Sequence, residues 1–151
     1  MASFVARLLV LAGVDFPDTL TDVFPGDSGG VPHELSINLL GSVGIWDGTT
    51  GEHGDAYGVS EAMRRDDMAQ ILYNAYTVIT GTTLASGSAR FDDLSGSDNA
   101  AAINALADAG VINGKTTTTY EPASPVSRAE FAALFARYLQ LLVDAGAIQP
   151  L

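Results

Sequence analysis

Two arginines stand at the start of segments that read as helices, each with carboxylates beside it. One lies in Ser127-Arg128-Ala129-Glu130 and the other in Arg64-Arg65-Asp66-Asp67. A serine three residues before a glutamate is the pattern of a capping box. The Ser127 hydroxyl accepts from a first-turn amide while Glu130 reaches back to the amide of Ser127. Arg128 then projects from the first turn, where the helix dipole disfavours a cation. A cation held there calls for a partner, either a carboxylate of this chain such as Asp92 or Asp93, or an anion from outside it. The 64–67 version keeps an arginine and carboxylates in register but has no hydroxyl to cap with.

Other arrangements carry less chemistry. Asp92, Asp93 and Asp98 in DDLSGSD lack the alternation and the closing bidentate glutamate of an EF-hand loop. They read as the lead into a helix, with Asp98 or Ser97 as N-cap. His33 and His53 are the only histidines, and no HExxH or paired-ligand spacing accompanies them, so no metal site is expected. GDSGG from Gly26 surrounds Ser28 as in a serine-protease nucleophile sequence. The chain is too short and too helical for that fold, and the segment reads as a surface turn. No acid/base pair, nucleophile constellation or phosphate loop converges, so neither catalysis nor a cofactor is expected.

Charge and composition narrow the partners. Eighteen acidic side chains against seven basic ones give a formal charge of −11, a field that repels polyanions unless a local patch overcomes it. Arg64 and Arg65 are the only adjacent basic pair, and two aspartates follow at once. Nucleic acid is therefore not an expected partner. With no cysteine, disulfide frameworks and thiolate metal sites drop out. The apolar opening MASFVARLLVLAG carries its only cation, Arg7, inside the apolar run and is followed by no clean cleavage site, which argues against a secretory leader. No apolar run has membrane-spanning length, so no membrane insertion is expected.

The elements that must position the arginines repeat. FAALFARYL (131–139) lies against MASFVARLL (1–9), matching Ala2, Ala6, Arg7 and Leu9 with Ala132, Ala136, Arg137 and Leu139, and MAQILYNAY (68–76) is a third copy. A second element keeps step: INLLGSVGIWDG (37–48) matches INALADAGVING (103–114) at Ile37/Ile103, Asn38/Asn104, Leu40/Leu106, Gly44/Gly110 and Gly48/Gly114. Each reads as a short helix stopped by glycine in a left-handed cap, at Gly44 and Gly110. Acidic leads precede them, LTDV from Leu20 and FDDL from Phe91, and Tyr57 and Tyr120 take matching places between the helices. The chain thus reads as all-α: a second helix of an incomplete repeat at 1–15, then two-helix repeats at 16–80 and 88–146. The Gly, Ser and Thr-rich stretch 80–90 joins them without structure of its own. A lone helix pair buries too little apolar surface to stand, so neighbours should share a core.

With these residues laid out, the unit resembles the S-layer homology domain: a lead such as FDDL, a helix closing in AGVING, a loop with an aromatic and a proline, and a helix opening with SRAE. The last repeat carries the pattern well, the middle one loosely, and the first only as its final helix. The resemblance implies a non-catalytic module, extracellular at a bacterial cell envelope, that anchors by binding an anionic cell-wall polysaccharide. It assigns charge recognition to Arg65 and Arg128. Beside them, loop amides near Gly48 and Gly114 are expected to add hydrogen bonds, and Trp46, Tyr57 and Tyr120 to stack on sugar rings, the tyrosines at loop tips. Trp46, by position, reads first as a core plug. The resemblance also implies a pseudo-threefold closure of three units, incomplete within this chain, which upstream sequence, another subunit or a further copy of the chain would complete. The alternative is a structural subunit of a surface layer, filament or virion that works through protein–protein contacts.

Overall fold

The computed structural model describes residues 1–24, 30, 32–46, 57 and 62–150. Ser28, Gly48 and His53 fall outside them. Among the described residues the protein is all-α, with five helices and no strand: α1 (Ala2–Leu11), α2 (Glu34–Ser42), α3 (Arg65–Thr80), α4 (Ala100–Asp108) and α5 (Arg128–Asp144). None is long and apolar enough to cross a membrane. The chain divides into two compact units, Met1–Glu61 and Ala62–Leu151.

In the first unit α1 buries Ala2, Val5, Ala6, Leu8 and Leu9. That i, i+3, i+4 stripe packs α1 on α2, whose Ile37 and Leu40 are buried. α2 ends where Gly44 takes φ +72°, so that the Gly44 N–H reaches Gly41 O and the Ile45 N–H reaches Leu40 O. This is a Schellman closure, and it turns Ile45 and Trp46 into the core. The lead crosses α2, with the Val23 N–H donating to Asn38 Oδ1 at 3.2 Å. Phe24 then meets Tyr57 edge-on, ring centroids 5.7 Å apart. Burial pushes the Tyr57 phenol up to about 12, against a smaller opposing bond from the Ala2 amide.

The second unit repeats this plan. Gly110 has φ +75°, with the Gly110 N–H on Ala107 O and the Val111 N–H on Leu106 O. Arg90 N–H donates to Asn104 Oδ1, and Phe91 meets Tyr120 at 5.5 Å. The counterpart of Phe91 is therefore Phe24, not Leu20: the buried aromatic that meets the loop tyrosine sets the register, and the acidic residues around it follow. The start of α4 also differs from expectation. Asn99, not Asp98 or Ser97, precedes its first residue, while the Ser97 hydroxyl accepts from the Asn99 N–H.

The helices that pack together are α1 with α2 and α3 with α4. Each pair joins the second helix of one sequence repeat to the first helix of the next, so the compact units divide inside the 16–80 segment. α5 completes the second unit through the buried Tyr138, whose O–H donates to Leu72 O at 2.9 Å. Leu134 and Leu142 are buried on the same stripe. The connection after α3 has no helix or strand, yet its end is fastened along α4: the Ser88 N–H and O–H both donate to Asp108 Oδ2, at 2.8 and 3.0 Å.

Candidate functional site

α3 opens without the side-chain cap that α5 has. In α5 the Ser127 hydroxyl accepts from the Glu130 N–H at 3.2 Å and Glu130 Oε2 accepts from the Ser127 N–H at 2.9 Å, the full capping box. At α3 the first amides are satisfied from far along the chain instead. The Arg65 N–H donates to Ser124 O and the Asp66 N–H to Pro122 O, both at 3.0 Å, while the Val126 N–H returns to Met63 O. Two donors that a helix start leaves orphaned are thus capped by backbone carbonyls of the 122–124 loop. Asp66, buried in the first turn, accepts a two-pronged bond from Arg64 Nε and Nη2 at 3.0 and 2.8 Å and a third bond from the Ser97 hydroxyl.

Asp93 anchors that loop, accepting from the Tyr120 N–H at 2.9 Å and the Glu121 N–H at 2.8 Å. Burial pushes its carboxyl up, but the amides of Tyr120 and Glu121 and the charge of Arg65 outweigh this and hold it below its ordinary value. Glu121 adopts φ +59°, the only non-glycine described residue with positive φ. The chain turns there so that Pro122 and Ser124 face α3.

Arg65 is held on every side. Its Nε donates to Tyr120 O at 2.8 Å, Nη1 to Glu130 at 3.0 Å and Nη2 to Asn113 O at 3.4 Å. The guanidinium lies over the Tyr120 ring, 4.5 Å from its centroid. Glu130 joins this arrangement to the capping box: Oε1 also accepts from Lys115 Nζ. The bond from Lys115, with those from Ser127, holds the Glu130 carboxyl down at about 2.

A cleft of about 150 Å³ opens here, between the start of α3, the 113–115 turn and the face of α5. Its cations are Arg65, Lys115 and Arg137, its anion Glu130, and its apolar wall Met68, Ala133 and Leu134. Arg137 is aimed by a 2.8 Å bond from Nε to Val111 O. The 113–115 turn is tight: a Cβ on Gly114 would overlap the carbonyl oxygens of Thr116 and Thr119 and come within 2.6 Å of Phe91 Cε1. Glycine is required there by close approach.

Of the residues singled out from sequence, Arg65, Gly114 and the capping residue Glu130 line this cleft. Arg128 is exposed on the opening turn of α5 and makes no ion pair or hydrogen bond among the described residues. Of the two alternatives for this cation, pairing with Asp92 or Asp93 is not made: Asp93 is committed to the loop amides, and no bond joins Arg128 to Asp92. The three aromatics sit inward rather than at loop tips. Tyr120 is fully buried and Trp46 nearly so, while Tyr57 is half-buried against Phe24. Trp46 fills the core in its unit, as its position implied, and its Nε1 has no hydrogen-bond partner among the described residues. Tyr120 carries Arg65 from beneath. Sequence reasoning missed Lys115, Arg137 and the central place of Glu130. One signal was available for Lys115: it is the only lysine of the chain and follows directly on Gly114 of the repeat.

The segment running from the lead of α4 through the loop to the first turn of α5 is also where the comparison with protein families falls. Residues 90–132 match the S-layer homology domain. The matched span holds Phe91, Asp93, Gly114, Lys115, Tyr120 and the capping box, while Arg65 and Arg137 lie outside it. No curated protein matches the chain. S-layer homology domains are non-enzymatic modules that anchor proteins to the cell wall through its secondary polymers, and they mark cell-surface-associated proteins.

Proposed function

We propose that this chain anchors at a bacterial cell surface by binding an anionic cell-wall polysaccharide, with the Arg65–Lys115–Arg137 cleft as the principal contact. One observation carries the reading: three of the seven basic side chains of a chain with formal charge −11 line a single cleft. Elsewhere the overall field opposes an anion, and here it is locally reversed. Lys115, 37% exposed, is the accessible cation, whereas the Arg65 side chain is only 6% exposed and presents an edge. The Gly114 amide and the unpaired Arg128 extend the contact. Met68, Ala133 and Leu134 offer an apolar face on which a sugar ring can rest.

Co-sedimentation with purified cell walls tests it. Lys115→Glu should abolish binding, Arg128→Glu should weaken it, and added salt should weaken the wild type. Unchanged sedimentation of both folded variants removes the cleft from the function. Val10, Leu11 and Leu35, at 63%, 63% and 66% exposure, favour a second reading, attachment through protein–protein contacts. It predicts a stable oligomer in solution and no affinity for the wall.

A further inference from the structure

We propose that Tyr120 is a positioning residue for polymer recognition: it acts through Arg65, whose guanidinium it fixes in the cleft, and never touches the ligand. The proposal rests on the polysaccharide-binding reading above, but its first observable does not. Tyr120 and Arg65 are clasped at three points. The Tyr120 carbonyl accepts from Arg65 Nε at 2.8 Å, the Tyr120 hydroxyl donates to the Arg65 carbonyl at 2.7 Å, and the ring underlies the guanidinium at 4.5 Å. Burial raises the phenol well above its ordinary value, so it remains a donor to Arg65 O across the whole range in which the protein would work.

The clasp leaves little freedom. A guanidinium has five N–H donors; with bonds to Tyr120 O, Glu130 and Asn113 O, three are committed and two remain for a ligand. An arginine side chain ordinarily loses much rotamer entropy when a ligand immobilises it. Here that cost is met on folding, because the ring, the loop carbonyl and the helix start are assembled by the same 120–124 segment that caps α3. Asp93, by holding the amides of Tyr120 and Glu121, secures the ring's place.

Arg65 Nε–H in the wild type, observed by NMR without ligand, should be shielded by the ring and slow to exchange with water. Tyr120→Leu should abolish the shielding and speed exchange by about tenfold or more, whereas Tyr120→Phe should keep the shielding and speed exchange only a few-fold. Affinity for purified wall polysaccharide should fall about tenfold in Tyr120→Leu. In an Arg65→Lys background the same change should cost little more, a coupling that a purely structural role would not produce. Additive losses in the two backgrounds, or an Arg65 Nε–H signal that Tyr120→Phe and Tyr120→Leu both leave unaltered, overturn the proposal. If Tyr120→Leu does not fold, the Tyr120→Phe exchange rate and its cycle with Arg65→Lys decide in its place. A wild type that ignores the polysaccharide overturns the binding reading alone, since the exchange measurement stands without it.

Discussion

Arg65 Nη1 lies 3.0 Å from Glu130 Oε1, joining the first turns of α3 and α5, the equivalent helices of two successive repeats. The same carboxylate oxygen takes the bond from Lys115, so one glutamate holds two cleft cations and half of a capping box.

From this follows an acid-side dependence. The Glu130 carboxyl sits at about 2 in the folded protein against an ordinary 4.5. A depressed carboxylate contributes stability that is present above its unfolded value and lost as pH falls through the folded one. Melting temperature should therefore drop between about pH 4.5 and pH 2. Glu130→Gln should melt lower at neutral pH and lose less across that window. Asp93, also depressed, keeps some slope in the variant. Parallel curves for the two proteins would refute the assignment.

The two helix starts should respond differently to truncation. Ser127→Ala removes half of the α5 capping box and should cost about 1 kcal/mol in urea denaturation. Arg64→Ala leaves Asp66 buried without its two-pronged partner and should cost about 3 kcal/mol. A larger loss at Ser127 than at Arg64 would contradict the dependence of buried Asp66 on its Arg64 partner.

Glu121 holds a left-handed backbone with a side chain that does not favour it. Glu121→Gly should be neutral or stabilising by up to ~1 kcal/mol, the relief of backbone strain being partly offset by glycine's greater freedom in the unfolded chain and by loss of the Ser124 hydroxyl bond to Glu121. Glu121→Val should destabilise by at least ~1 kcal/mol, because a β-branched residue tolerates positive φ poorly. Equilibrium denaturation of the pair reads the difference.

Gly87 and Gly114 are both closed to a side chain. A Cβ on Gly87 would overlap the Asn104 carbonyl, and one on Gly114 the carbonyls of Thr116 and Thr119. Alanine at either site should cost about 1–3 kcal/mol. Only Gly114→Ala should also weaken sedimentation with cell walls, because it displaces Lys115 from the cleft while Gly87 lies on the far connection. Equal effects on binding would show that the loss follows stability alone.

Much of the local structure could be read from residue order because it is set by neighbours within a turn or two. Gly44 and Gly110 close their helices as the repeat implied, since only a residue free to take positive φ can return the following amides to the last carbonyls. Ser127 and Glu130 form the capping box for the same reason: three residues suffice to build it. The all-α class and the paired places of Tyr57 and Tyr120 follow from helical periodicity repeated in step.

What lay beyond the sequence depends on contacts between distant residues. The missing cap of Arg64-Arg65-Asp66-Asp67 gave no hint that Pro122 and Ser124 would supply it, since those carbonyls are brought there by a turn at Glu121 that Asp93 secures. Arg65 and Arg128 occupy equivalent places in the repeat, yet one is enclosed by the Tyr120 loop and the other stands open, a difference that sequence equivalence cannot carry. Lys115 and Arg137 come to line one cleft with Arg65 only through the folding of distant segments, Lys115 bound to Glu130 and Arg137 to Val111 O. The sequence by itself determined the helices, their ends and the repeated plan, because hydrogen bonds within a few residues and periodic burial are local. Which cations share a cleft was decided by tertiary structure, where packing sets distances between residues that the chain keeps far apart.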